Sequence, residues 1–195
     1  MINNTLIKSI EGEYRRYKAL AEAALNQVSE ADLSVPGPNG GNSLATICWH
    51  LSGNFQSRFT DFLTSDGEKP WRDREEEFVA RTISRAELLA KWTRGWDVLL
   101  AALDGLTDAD LTRAVAIRGR PLAVHEALNR SLAHASYHVG QIVYLAHALC
   151  GTAWRYLSIP PGGSAAYNLN PQFEKPAEQA GALRPSQPHN PPESR

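Results

Sequence analysis

Apolar residues recur at three- and four-residue steps over four long stretches of the chain, the spacing that lines one face of an α-helix. The predicted helices run from about Asn4 to Ser29, from Leu44 to Phe62, from Ser84 to Leu103 and from Val124 to Leu149. Each stretch has one apolar stripe, as expected of a helix that packs against others. Four such helices with almost no strand predict an all-α fold, a four-helix bundle.

Residues with strong capping preferences support these boundaries. Asn42 or Ser43 is the predicted N-cap of the second helix, because a short polar side chain accepts a hydrogen bond from a free backbone amide there. Ser84 and Glu87 have the spacing of a capping box at the start of the third helix. Gly151 is a natural stop for the fourth helix.

Two segments depart from the helical pattern. Between the third and fourth helices, AVAIRGRPLAV alternates apolar residues around Arg118 and Gly119, which predicts a short β-hairpin, although Pro121 is unfavourable in a strand. Residues 171–195 hold six of the twelve prolines and little to bury, which predicts a Pro-rich disordered tail. We therefore expect one helical domain over residues 1–170, followed by that tail.

Composition and charge exclude several classes of protein. The chain has 20 basic and 21 acidic residues, so it lacks the basic excess that neutralises phosphates, and we expect no nucleic-acid partner. Its longest apolar runs, such as Val98 to Leu103, are far shorter than a membrane span. The start, MINNTLIKSIEGEY, lacks the features of a signal peptide. We expect a cytoplasmic protein that does not associate with a membrane.

His134 and His138 are the strongest chemical signal in the chain. Four residues apart, they share one face of the fourth predicted helix, where two imidazoles can bind one transition-metal ion. Two hydrogen-bonded polar residues beside a core would have the same spacing. A helical wheel places His50 on a flank of the second helix, from which it can join the pair. The spacing leaves open whether His50 is a third ligand or an ordinary exposed residue.

The other three histidines are predicted not to be ligands. His147 is expected to face solvent, His125 falls at the start of its helix, and His189 lies in the tail. Three histidines from two helices would leave coordination positions open for water or substrate, which is the pattern of a catalytic metal and not of a closed structural one.

Three runs of sequence indicate a family. They are WHLSGNFQSRFTDFLTSDGEKPWRDREEEF, RSLAHASYHVGQIVYLAHALCG and the closing run WRYLSIPPGGSAAYN. Together they resemble the DinB/YfiT-like superfamily of small bacterial proteins. The resemblance covers residues 1–170 and leaves out the tail.

The resemblance implies a fold, a site and a chemistry. The fold would be an up-down-down-up four-helix bundle, and members often form homodimers. His50, His134 and His138 would be the triad that holds a divalent metal, commonly zinc or nickel. Some members of the superfamily transfer or isomerise substrates with a low-molecular-weight thiol such as bacillithiol, mycothiol or glutathione.

Two arginines are candidates for binding an anionic part of a substrate. Arg130 lies one helical turn before His134, and its planar guanidinium suits a carboxylate, although a salt bridge would explain it equally. Arg72 belongs to the mixed-charge segment KPWRDREEEF, which is typical of a solvated loop. The alternative places Arg72 or Arg74 near the mouth of the bundle.

Gln141 and Tyr137 are further candidates for substrate binding, because both lie within a turn of His138. Either could orient a ligand or a bound water, and either could be a packing residue with a polar end. No glutamate stands beside the histidine pair in an HExxH pattern, which counts against peptidase-type hydrolysis.

Two functional hypotheses follow. The first is a metal-dependent enzyme acting on a small molecule, either a transferase that activates a low-molecular-weight thiol or a hydrolase that activates water. The alternative is a non-catalytic metal-binding or stress-related helical-bundle binding protein. Both hypotheses require a bound metal ion, so metal analysis of the untagged protein tests them together.

Overall fold

The computed structural model describes residues 5–183, and this part of the chain is mainly helical. The helices are α1 (Thr5–Leu25), α2 (Leu44–Phe59), α3 (Arg85–Asp104), α4 (Val124–Cys150), α5 (Ser164–Leu169) and α6 (Pro176–Ala182). Helix α1 packs against α4 and α3, and α2 packs against α3 and α4. The four predicted long helices are therefore present, and each packs against two of the others. Within residues 5–183, no helix combines the length and apolar character needed to cross a membrane.

The predicted capping residues are confirmed. The Ser43 side chain accepts a hydrogen bond from the backbone N–H of Thr46 and caps α2. Ser84 and Glu87 form the reciprocal capping box of α3. Gly151 ends α4 with a φ of 53°, a conformation that strains other residues. These contacts are local, which is why the sequence alone predicts them.

Two helices end earlier than the apolar pattern predicts. Helix α1 stops at Leu25 because Ser29 belongs to the next turn, where its backbone N–H donates to Asp32 Oδ2 at 2.8 Å. Helix α2 stops at Phe59, shortly before Asp61, whose φ of 49° lies in the left-handed region that a helix excludes. In both cases a polar turn overrides a stripe that continues for a few more residues.

The core between α1, α2 and α3 is built from large aromatic side chains. Trp96 lies at its centre, with ring centroids 4.8 Å from Phe55, 5.4 Å from Trp92 and 6.4 Å from Tyr14. Burial of each such side chain contributes about 1.5–3 kcal/mol to folding. The Tyr14 hydroxyl also donates to the backbone carbonyl of Leu128 at 3.1 Å and so joins α1 to α4. This packing holds α2 and α4, which carry the histidines, in a fixed relation.

The predicted hairpin is confirmed as strands β1 (Ala114–Ile117) and β2 (Arg120–Ala123). Arg118 and Gly119 both have positive φ, as a two-residue hairpin turn requires. Pro121 is tolerated opposite Ala116 because each strand of a two-stranded sheet has a free edge. The Asp66 carboxylate accepts from the backbone N–H groups of Arg118 and Gly119 at 2.8 and 2.7 Å. The loop after α2 is thereby fastened to the hairpin.

The structure differs from the expected tail. Residues 176–182 form α6, which packs against α1 and buries Gln179 and Ala180. Pro176 occupies the first turn of this helix, where its fixed φ favours helix formation, and good helix formers follow it. The disorder predicted for residues 171–195 is therefore wrong for this segment. The remainder of that stretch, from residue 184 on, lies outside the described residues.

Candidate metal centre

The three candidate histidines converge between α2 and α4. His50 comes from α2 and His134 and His138 from α4, and one ring nitrogen of each lies within 4.8 Å of the others. His50 and His138 are buried, with 4% and 8% of their surface exposed, and His134 is half-buried. The predicted triad is thus close enough to hold a metal ion.

The ring of His50 is oriented by a buried ion pair. Its Nδ1 lies 2.8 Å from Glu77 Oε2, and Glu77 also accepts from Arg72 Nε and Nη2, both at 2.8 Å. A carboxylate only accepts hydrogen bonds, so His50 Nδ1 carries the proton and Nε2 keeps its lone pair. A carboxylate behind a histidine is the usual partner of a metal-ligating imidazole.

Gln141 orients His138 in the same way. Its Oε1 lies 2.7 Å from His138 Nδ1 and accepts a hydrogen bond from the N–H there, which leaves the Nε2 lone pair of the neutral ring free. Gln141, a candidate for orienting a ligand, therefore lies against a member of the triad. In both His50 and His138, the hydrogen bond at Nδ1 leaves Nε2 as the atom that can bind a metal ion.

The spacing of the inner nitrogens is compatible with a metal ion. His50 Nε2 and His134 Nε2 are 3.2 Å apart. Two lone pairs repel each other at this distance, so either His134 carries its proton on Nε2 and donates a hydrogen bond to His50 or a cation lies between the two nitrogens. A proton serves one pair of nitrogens, whereas a divalent ion serves all three histidines. Tetrahedral zinc with Zn–N bonds of about 2.0–2.1 Å separates its ligand nitrogens by about 3.3 Å, which matches the spacing of this pair.

Burial keeps the α4 histidines in the form that binds metals. Burial, together with the neighbouring His138 and His50, lowers the pKa of His134 to about 3. Burial also lowers the pKa of His138, despite the opposing hydrogen bond with Gln141. Both imidazoles are therefore neutral at pH 7, and neutral imidazole is the ligating species.

The position of Glu77 depends on a glycine in α2. A Cβ atom on Gly53 would lie 2.1 Å from Glu77 Oε1 and 2.7 Å from its Cδ. Real contacts are never so short, and Glu77 cannot retreat without breaking its hydrogen bonds to Arg72 and His50. The absence of a side chain at Gly53 therefore leaves room for the Glu77 carboxylate beside His50.

This geometry predicts the effect of Gly53→Ala. We expect metal affinity to fall by about 10–100-fold, as for loss of the partner of a ligating histidine, and stability to fall by about 1–3 kcal/mol through overpacking. Isothermal titration with zinc and chemical denaturation measure the two effects. Gly140→Ala is the matched control, because a Cβ there meets nothing within 4 Å. Equal behaviour of the two variants would contradict the proposed role of Gly53.

A cavity of about 370 Å³ opens beside the histidines. His50 and His134 form part of its wall, and Phe59, Phe62 and Ile117 supply apolar surface. Five arginines also line it: Arg58, Arg72, Arg74, Arg118 and Arg130. The segment predicted as a solvated loop therefore places Arg72 and Arg74 at the cavity, as the alternative interpretation had it.

The four candidate substrate-binding residues occupy different places. Arg130 and Arg72 line the cavity, and Arg72 also holds Glu77. Gln141 binds His138, and Tyr137 is 64% exposed with its ring 5.1 Å from that of His138. Neither Gln141 nor Tyr137 is among the residues that line the cavity.

The remaining histidines lie apart from the cluster or outside the described residues. His147 is exposed and stacks on Trp154, with ring centroids 5.0 Å apart. His125 Nδ1 contacts the backbone carbonyl of Leu111 at 3.0 Å. His147 therefore faces solvent and His125 lies in the first turn of α4, as predicted. His189 falls outside residues 5–183.

Glu77 contacts the triad through His50, and the sequence pattern did not reveal it. It is the last of three consecutive glutamates, and nothing in the local sequence separates it from Glu75 and Glu76. Yet Glu77 is 5% exposed, while the Glu75 side chain is 87% exposed. Burial would raise the pKa of Glu77, but the hydrogen bonds from Arg72 and His50 lower it, so the carboxylate stays ionised at neutral pH.

The comparisons with known proteins identify a family. No curated protein matches the chain at a significant level. A family model described as "Protein of unknown function (DUF1572)" matches residues 1–163, a segment that includes the three histidines, Glu77 and Arg130. Because this match spans most of the 195 residues, the chain belongs to the family of proteins of unknown function DUF1572.

Proposed function

We propose that this protein is a metal-dependent transferase of the DinB/YfiT-like type that acts on a low-molecular-weight thiol. In this proposal the four long helices form an up-down-down-up bundle, and the chain assembles as a homodimer. His50, His134 and His138 hold one divalent ion, zinc or nickel. The observation that supports the proposal best is the convergence of three imidazole nitrogens within 4.8 Å, with two of the rings, those of His50 and His134, at the wall of a cavity.

The ligand chemistry favours a borderline divalent metal. Imidazole suits zinc, nickel, copper and iron, whereas magnesium and calcium prefer oxygen ligands. Three protein ligands leave at least one coordination position for a reactant. His50 and His134 border the cavity, so a small molecule there would reach this position.

Among the described residues, the cavity lacks a free carboxylate that could act as a general base, which favours a thiol over water as the activated group. Hydrolysis commonly uses a general base beside the metal. Within the described part of the chain no carboxylate lines the cavity, and Glu77 is engaged by His50 and Arg72. A bound divalent ion lowers the pKa of a thiol that it ligates, so the nucleophile forms at neutral pH without a protein base.

The proposed reaction is a substitution at an electrophilic carbon. A carbon–sulfur bond forms between the thiol and a small electrophile, the leaving group departs with the electron pair of the broken bond, and the thiol proton passes to solvent. The residues of the chain bind and orient the two reactants, and the apolar wall formed by Phe59, Phe62 and Ile117 limits the access of water.

A metal analysis combined with a thiol screen tests this function. We expect untagged protein to contain one divalent ion per chain, and one of glutathione, mycothiol or bacillithiol to raise the Tm only when the metal is present. A thiol at 100 times its Kd stabilises by about 2.7 kcal/mol, a shift of roughly 5–10 °C for a domain of this size. Metal binding without any thiol response would instead favour the non-catalytic metal-binding protein. A protein that takes up no metal even after reconstitution would contradict both functions.

A further inference from the structure

We propose that the cavity beside the histidines binds the anionic group of a small organic acid, a carboxylate or a phosphate monoester. This inference rests on the proposed function in one respect: the anion is taken to be part of the substrate. The binding of the anion itself follows from the charges that line the cavity.

The cavity wall is strongly cationic. Five guanidinium groups border it, and within the described residues no acidic side chain does. The carboxylate of Glu68, which does not line the cavity, lies near three of these arginines. It lies 2.9 Å from Arg118 Nε, 3.1 Å from Arg58 Nη2 and 3.8 Å from Arg72 Nη1. Glu77 also pairs with Arg72, and Glu75 pairs with Arg74. These three carboxylates face five guanidinium groups, so positive charge remains for a ligand, and clefts lined by one sign of charge concentrate counter-ions.

Arg72 presents a buried donor without a hydrogen-bond partner. Its side chain is 2% exposed, and Nε and Nη2 are held by Glu77. Nη1 has no partner within hydrogen-bond distance and is screened from solvent. Buried donors are nearly always satisfied, and an unsatisfied one costs about 1–3 kcal/mol. Arg72 borders the cavity, so an anion that reaches Nη1 from there would supply the missing acceptor.

Arg130 provides a second, unpaired guanidinium. Within residues 5–183 it makes no ion pair or hydrogen bond, although it lines the cavity. It lies one turn before His134 on α4, so its charge and the candidate metal ligand share one helix face. Glu77 holds Arg72 in place, whereas Arg130 has no such partner. Both border the same cavity, and guanidinium groups suit carboxylate and phosphate oxygens.

The rest of the wall limits the ligand further. Phe59, Phe62, Ile117 and Ala127 are apolar, and the volume of about 370 Å³ admits only a small molecule. A ligand that satisfies both parts of the wall has an anionic end against the arginines and a short apolar body. Inorganic phosphate and succinate are simple probes of the anionic subsite.

The test is a titration of the full-length, metal-free protein with each probe at constant ionic strength, followed by ¹H–¹⁵N NMR. We expect saturable shifts in the amides of the hairpin, of residues 67–74 and of the first half of α4. Loss of one charge-assisted contact in Arg130→Ala should weaken binding about tenfold. Arg94→Ala is the control, because Arg94 is exposed on α3 and lies outside the cavity wall.

The outcomes separate this inference from the proposed function. The probe that binds more tightly distinguishes a phosphate from a carboxylate ligand. Absence of saturation with both probes, or equal affinities in Arg130→Ala and wild type, would overturn the anion site. Because the protein is free of metal, a failure of metal binding leaves this titration unaffected. Saturable anion binding in a chain that takes up no metal would therefore reject the proposed function and keep the anion site.

Discussion

Replacing His134 with alanine is expected to abolish the binding of one divalent ion per chain while leaving the fold intact. His134 Nε2 faces His50 Nε2 at 3.2 Å, and its own Nδ1 is buried without a hydrogen-bond partner. Removing this side chain breaks no hydrogen bond to another part of the chain besides the contact with His50. Two histidines on different helices remain, and an ion with two protein ligands is readily lost to a competing chelator.

The measurement is elemental analysis after gel filtration in the presence of a weak chelator, with circular dichroism to monitor the fold. His147→Ala is the matched control, because His147 lies on the same helix but is exposed and outside the cluster. We expect wild type and His147→Ala to retain the ion and His134→Ala to lose it. Retention of a full equivalent in His134→Ala would show that the triad is not the metal site.

Replacing Glu77 with alanine is expected to lower both stability and metal affinity. The carboxylate accepts two hydrogen bonds from Arg72, whose side chain is 2% exposed, and one from His50. Without it the guanidinium stays buried, with Glu68 at 3.8 Å as its nearest ion-pair partner. Breaking a buried ion pair by removing one partner costs about 3–5 kcal/mol. The ring of His50 also loses the acceptor that orients it, which should reduce metal affinity about 10–100-fold.

Two measurements keep these effects apart. Urea denaturation of the metal-free protein reports the buried charge, and zinc titration below the unfolding transition reports the orientation of His50. Glu75→Ala is the control, because this side chain is 87% exposed and its pair with Arg74 contributes little. A Glu77→Ala protein as stable as Glu75→Ala would mean that water solvates Arg72 in place of the carboxylate. Unchanged zinc affinity would remove Glu77 from the positioning of His50.

The tail shows where composition misleads. Six prolines in residues 171–195 indicate disorder when they are counted, because proline interrupts regular structure. Pro176, however, stands at the first turn of α6, the one helical position where a missing N–H is harmless. The contact of α6 with α1 then buries Gln179 and Ala180. Counting prolines does not show where in a helix each of them stands. A seven-residue segment also does not show, from its own sequence, against which helix it packs.

The sequence by itself determined the four long helices, their capping residues, the hairpin and the pair His134 and His138. Each depends on groups only a few residues apart, and hydrogen bonds and helical periodicity act over that range. The helical wheel made His50 a candidate third ligand, and the resemblance assigned it to the triad. Only the tertiary structure decided that Glu77 lies behind His50, that Gly53 makes room for it, and that five arginines surround one cavity. These arrangements join segments far apart in the chain, and their position follows from how α2 and α4 pack with the loop between α2 and α3 and with the hairpin.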